Sequence, residues 1–185
     1  TRLLTQILLF GAGAAVALGV IAASVWFARR AAPRRIEESF IPTLDARAIR
    51  RLGDALVAIV VIGLAVLLGA AAASGWDTML RWRHAVPFGE TDPQFGRDIA
   101  FFVFTLPAYQ MLHGWLVALL IASAFGAAVA YGLTYALQRF ELVVTRGMRV
   151  HASLLGGVLL MLIAVGTYLG AFGLVSSPDG LVHGA

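Results

Sequence analysis

The chain has 185 residues, 60% of them hydrophobic and 13% charged, with a formal net charge of +4 and a mean hydropathy of +0.86. Soluble domains carry about 25% charged residues, so a water-soluble globular domain is excluded and a membrane protein is indicated; the lack of cysteine removes disulfides, thiolate metal sites and a cysteine nucleophile. Every basic residue apart from histidine is arginine, and the arginines flank apolar runs, a pattern that the positive-inside rule explains without nucleic acid.

Four segments reach the roughly 20 apolar residues that a bilayer-crossing helix needs. The first runs from about Leu3 to Ala28 and closes near Trp26. It is too long for a cleavable signal peptide, and Arg29-Arg30 follow it as a stop. The second span covers about Ala55 to Ala73. Beyond it, Trp76, Met79, Leu80 and Arg83 fall at helical spacing, which predicts a short helix over about 75–86 lying in the membrane interface, where Trp is favoured. A polar loop, 87–98, comes next. The Phe-rich stretch after it is expected to pack the loop onto the membrane surface. Pro107 is expected in the first turn of the third helix, where its missing N–H costs least. The third span is about Leu106 to Leu137, long enough to tilt, and the fourth about Ala152 to Val175.

Loop charges set the expected orientation. Arg29, Arg30, Arg34, Arg35, Arg47, Arg50 and Arg51 lie between the first two spans, and Arg139, Arg146 and Arg149 between the last two. Arg2, Arg81, Arg83 and Arg97 lie on the other side. The imbalance places the 29–54 and 138–151 connections in the cytoplasm of a bacterium. The N-terminus, the 74–105 segment and the C-terminus then face outward across the cytoplasmic membrane. A start at Thr1-Arg2 and an end at Gly184-Ala185 are expected of an internal piece of a longer protein, with a span preceding Thr1.

The polar loop is the most specific stretch. Asp92-Pro93 favours a turn, Gly89 and Gly96 permit positive φ, and Asp98 is placed to cap a helix beginning near Ile99. Glu90, Asp92 and Asp98 offer the oxygen ligands that a hard cation such as calcium takes, but their spacing is not that of an EF-hand loop. The expected role is architectural: capping helices and pairing with Arg81, Arg83 or Arg97, with no bound metal. His113, near the outer end of the third span, and His151, at the inner end of the fourth, are each chemically able to ligate a haem or pigment. They lie at opposite ends and cannot share a metal. Hydrogen bonding to backbone or lipid is the expected role of each, and no cofactor is expected. His84 and His183 read as surface residues. The spans contain no Asp, Glu, Arg or Lys, the usual mark of an ion path. Small residues recur at four-residue spacing: Gly11, Ala15 and Gly19 in the first span; Ala65, Gly69 and Ala73 in the second; Ala122, Gly126 and Ala130 in the third; Gly166 and Gly170 in the fourth. Such faces let helix backbones approach closely. No Ser-His-Asp set, Walker loop, dinucleotide fingerprint or zinc helix is present, so no enzyme is expected.

Phe88-Gly89, Thr91-Asp92-Pro93-Gln94-Phe95-Gly96, Asp98, Phe101-Phe102-Val103-Phe104 and Leu106-Pro107 with Tyr109 resemble the signature of the UPF0182 family. The family more often has Phe-Tyr at Phe101-Phe102 and Pro-Phe-Tyr at Pro107-Ala108-Tyr109. Thr1-Arg2-Leu3 with the following span, the Arg29-Arg30 and Pro33 exit, and the terminal Gly184-Ala185 are also similar to family segments. The resemblance implies a large multi-pass bacterial membrane protein without an established activity. It would have about seven N-terminal helices ahead of an outer domain, and this chain would supply helices two to five. The expected fold is therefore an all-α membrane bundle of four spans with an interfacial helix and an ordered outer loop. The expected function is that of a structural subunit in a larger membrane complex, with a photosynthetic or respiratory assembly as one host. The alternative is the membrane part of a transporter or envelope-processing protein whose active region lies elsewhere. The expected partners are the lipid bilayer and other transmembrane proteins, with neither nucleic acid nor a soluble small-molecule substrate.

Overall fold

In hydrocarbon every backbone polar group must be satisfied within its own segment, so apolar stretches of this length fold as helices. A computed structural model describes residues 2–32, 46–136 and 143–173. Arg34, Arg35, Arg139, His183, Gly184 and Ala185 lie outside the described residues. The fold is all-α: α1 (Arg2–Ala31), α2 (Ala46–Ser74), α3 (Trp76–Arg83), α4 (Leu106–Ala136) and α5 (Arg146–Gly173). A single π turn, Phe101–Thr105, leads into α4. Four of these helices, all but α3, are long and apolar enough to cross a membrane.

Helix α1 is the hub, packing most extensively on α2, then on α4 and α5. Its buried face is Gly13, Ala17, Ile21, Ser24, Val25 and Ala28. Val57, Val61, Ala65 and Leu68 of α2 meet it, as do Leu119, Ala122, Ala127 and Ala130 of α4. Lipid is as apolar as leucine, so close packing and not water exclusion must hold the helices together. The glycines show how close the packing is. A Cβ on Gly13 would lie 2.7 Å from Ala72 Cβ, and one on Gly69 would lie 2.8 Å from Ala14 Cβ and 3.0 Å from the Phe10 carbonyl. Gly126 leaves room for Ile21 and Val25 in the same way.

Two of the expected small-residue faces are not used, or only partly used, within this bundle. Gly11, Ala15 and Gly19 are exposed, and nothing lies within 4 Å of a Cβ on Gly11 or Gly19. The face in use, Gly13-x-x-x-Ala17-x-x-x-Ile21, is offset by two residues, about 200° around the helix. It is the face that also carries Ile21 and Val25, which fill the groove over Gly126, and Ser24, whose hydroxyl bonds across to α4. Gly170 likewise faces open space, while Gly166 lies beneath the His113 ring. Ala65, Gly69, Ala122, Gly126 and Ala130 are buried.

Helix α2 begins at Ala46, ahead of the apolar stretch, and Arg29 of α1 pairs with its Asp54 at 2.8 Å. Pro107 is the second residue of α4, but that turn is not a free helix start. The helical path starts at Ile99, widens into the π turn and only then continues as α4. Proline lacks the N–H and its ring crowds the carbonyl four residues back. The Leu106 N–H instead reaches Phe101 O five residues back, and this wider turn accommodates the ring. Of the phenylalanines expected to pack the loop onto the membrane surface, Phe95, Phe101 and Phe102 pack against Leu106, Leu169 and Phe172. The short helix α3 is docked on α1, α2 and α4, with Arg2 over the Trp76 ring at 4.5 Å.

Candidate functional site

The polar loop is built around two aspartates. Asp98 caps the helix start. Its Oδ1 accepts the N–H groups of Ala100 at 2.7 Å and Phe88 at 3.1 Å, and its Oδ2 accepts that of Gly89 at 3.0 Å. The Ala100, Phe88 and Gly89 donors together hold its pKa below the ordinary 3.8. Asp92 Oδ2 accepts from Phe95 at 2.7 Å and Gln94 at 3.0 Å, which closes the turn started by Pro93. Backbone bonds from Asp92 to Arg97, Gly96 to Asp92 and Ile99 to Glu90 complete the loop. Gly89 and Gly96 have φ of 77° and 61°, the left-handed region that a side chain would strain.

Glu90, Asp92 and Asp98 are not gathered around a common point, and no group of three His, Cys, Asp or Glu side chains able to hold a metal occurs among the described residues. The arginines do not pair with them as expected. Arg81 reaches Asp77 at 3.7 Å, and Arg97 lies over the rings of Phe101 at 4.6 Å and Phe172 at 5.5 Å. Phe172 is the anchor of this region. Phe95 and Phe101 approach it at 4.9 Å and 5.4 Å between ring centroids, which ties the loop to the last turns of α5.

The two histidines sit in different places. His113 Nε2 donates to the Leu162 carbonyl of α5 at 2.8 Å, with its ring over Gly166. Two residues on, Trp115 Nε1–H donates to the Leu68 carbonyl of α2 at 2.9 Å. Helix α4 thus holds a neighbour on each side by a side-chain donor to a backbone acceptor.

His151 lies at the other end, 6% exposed, where α1, α4 and α5 meet. Its Nε2 is 3.2 Å from Ser24 Oγ and its Nδ1 is 3.1 Å from the Tyr131 hydroxyl. Ser24 donates its one proton to the Ser123 carbonyl at 3.1 Å, so it can only accept from His151. The histidine is therefore assigned as the Nε2–H tautomer, and its Nδ1 accepts from Tyr131. The result is a directed chain: Tyr131 O–H to His151, His151 to Ser24, Ser24 to Ser123. Ser123 in turn donates to Leu119 O at 2.8 Å, and Phe27 covers the imidazole at 4.9 Å. Both ring nitrogens are engaged in hydrogen bonds. Every hydroxyl is satisfied, as burial in a low-dielectric interior requires. The sequence reading missed Ser24 and Tyr131. Their one signal was the position of Ser24 in the 17–21–24–28 stripe.

The uncharacterised protein family UPF0182 matches by its family model over residues 1–185. A UPF0182 protein of Cupriavidus necator is 37% identical over 192 residues, covering 100% of this chain and 21% of the relative. One from Thermobifida fusca is 36% identical over 197 residues, 100% of this chain and 19% of the relative. One from Synechococcus sp. (strain JA-3-3Ab) is 36% identical over 128 residues, 68% of this chain and 15% of the relative. The chain therefore spans about a fifth of the length of the curated relatives that it matches end to end. No solved structure matches.

Proposed function

Because this chain belongs to the UPF0182 family of uncharacterised proteins, we propose that its role is non-enzymatic: a scaffolding helix module that packs against other transmembrane helices in a larger bacterial membrane assembly. The observation that carries the reading is the second small-residue face of α1. One face, through Gly13 and Ala17, is consumed inside the bundle. The other presents Gly11, Ala15 and Gly19 with open space beside both glycines. A helix with two such faces suits a central position, with neighbours on either side. The polar groups in the spans support the same role, since they bond helix to helix. In this reading the arginine-rich end, with Arg29, Arg146 and Arg149, faces the cytoplasm, and the polar loop faces outward.

The test is native extraction of the full-length protein in mild detergent. A Cβ on Gly11 or Gly19 meets nothing within 4 Å, so Gly11→Leu and Gly19→Leu should leave the bundle's melting unchanged and release the partner. A monodisperse monomer from unmodified membranes, with no co-purifying polypeptide, would sink the proposal.

A further inference from the structure

The start of α5 combines charge and apolar surface in a way that the scaffold does not use. Arg146, Arg149, Val150, Ser153 and Leu154 line a groove of about 520 Å³. Their spacing places them along one face of the helix. Arg146 and Arg149 form no ion pair with a described carboxylate, whereas Arg29 has Asp54 and Arg81 has Asp77. The groove lies at the arginine-rich end of the bundle, since Gly147 abuts Ala31 and Thr145 Oγ1–H donates to the Ala31 carbonyl at 2.6 Å. Below the arginines, the exposed Val150, Leu154, Val158, Met161 and Val165 continue in steps of three and four residues. That track runs for about 22 Å at the helical rise, more than the roughly 15 Å of one hydrocarbon leaflet.

Two guanidiniums without a described carboxylate partner and a hydroxyl at the head of an apolar track match an amphiphile with an anionic head and an acyl tail. We propose that this face of α5 is a binding site for an anionic phospholipid. Arg146 and Arg149 would hold the phosphate, which guanidinium recognises through paired N–H donors. Ser153 would donate to the headgroup, and an acyl chain would lie along Leu154, Val158 and Met161. A zwitterionic lipid offers the same tail, but its cationic headgroup would offset the attraction to the arginines. A free phosphate offers the charge without the tail.

The full-length protein in detergent should bind fluorescent phosphatidylglycerol about thirtyfold more tightly than the phosphatidylcholine analogue, taking two interfacial arginines at their usual worth. The double variant Arg146→Gln, Arg149→Gln should bring that ratio close to one, while Arg81→Gln with Arg83→Gln, on the other side of the bundle, should leave it unchanged. Millimolar inorganic phosphate should not displace the bound lipid. Equal binding of the two lipids by the unmodified protein would overturn the site and needs no variant to fold. So would displacement by inorganic phosphate, or retention of the preference in a folded Arg146/Arg149 variant. The scaffold reading does not depend on any of these outcomes.

Discussion

Asp98 shows how much one side chain can organise. Three backbone N–H groups, from Phe88, Gly89 and Ala100, converge on its carboxylate, so the entry to the loop, its exit and the helix start are fixed by one residue. The capping role was legible from an aspartate directly before an apolar run, whereas the reach back to Phe88 and Gly89 was not, because no local pattern marks a bond across the loop. Asp98→Ala should abolish the hydrogen-exchange protection of those three amides and leave that of α1 intact. Asp98→Asn should lose mainly the Gly89 amide, since its NH2 cannot accept there. The pH dependence follows from the lowered pKa. The carboxylate's contribution is full above its ordinary value of 3.8 and is lost as pH falls through the lower folded-state value. Exchange measured down an acid series should therefore show these amides keeping their protection to below pH 3.8.

At the scale of elements, the apolar lengths were readable and the choice of contact face was not. Helix α1 carries small residues at four-residue intervals on opposite sides, and composition cannot rank Gly11-Ala15-Gly19 against Gly13-Ala17. The ranking comes from Ala72, Ile21 and Ser24, whose partners are distant in sequence. Helix α2 allows a direct comparison. Gly69 is pressed against Ala14 and the Phe10 carbonyl, whereas Gly63 faces open space. Gly69→Val should destabilise the α1–α2 pair by about 3 kcal/mol or more, because backbone cannot yield as a side chain can. Gly63→Val should change stability by about 0.5 kcal/mol or less. Unfolding in a mild-to-denaturing detergent titration measures both.

For the whole molecule, a short list of polar bonds fixes how the helices stand to one another. Trp115 ties α4 to α2, His113 ties α4 to α5, and His151 joins α5 to both α1 and α4. The sequence offered His113 and His151 as isolated side chains. Their partners, Leu162, Ser24 and Tyr131, belong to other turns or other helices and emerge only on folding. His151→Phe keeps the aromatic volume and deletes two interhelical bonds. At the membrane average of about 0.6 kcal/mol per bond, the loss should be about 1 kcal/mol, spread over three helices, so the bundle should still melt as one unit. Two separate transitions in that variant would show that His151 alone couples α5 to the rest.

The π turn before Pro107 carries one consequence for how this chain can vary. A residue added to one helical turn shifts the angular phase of everything before it by about 100° relative to everything after. Phe101 and Phe102 point at Phe172 because of that shift, while His113 and Trp115, farther along, point at their own carbonyls. The turn acts as a gear between two sets of contacts. Deleting one residue between Phe101 and Thr105 would restore regular α-helix and turn the two sets out of mesh.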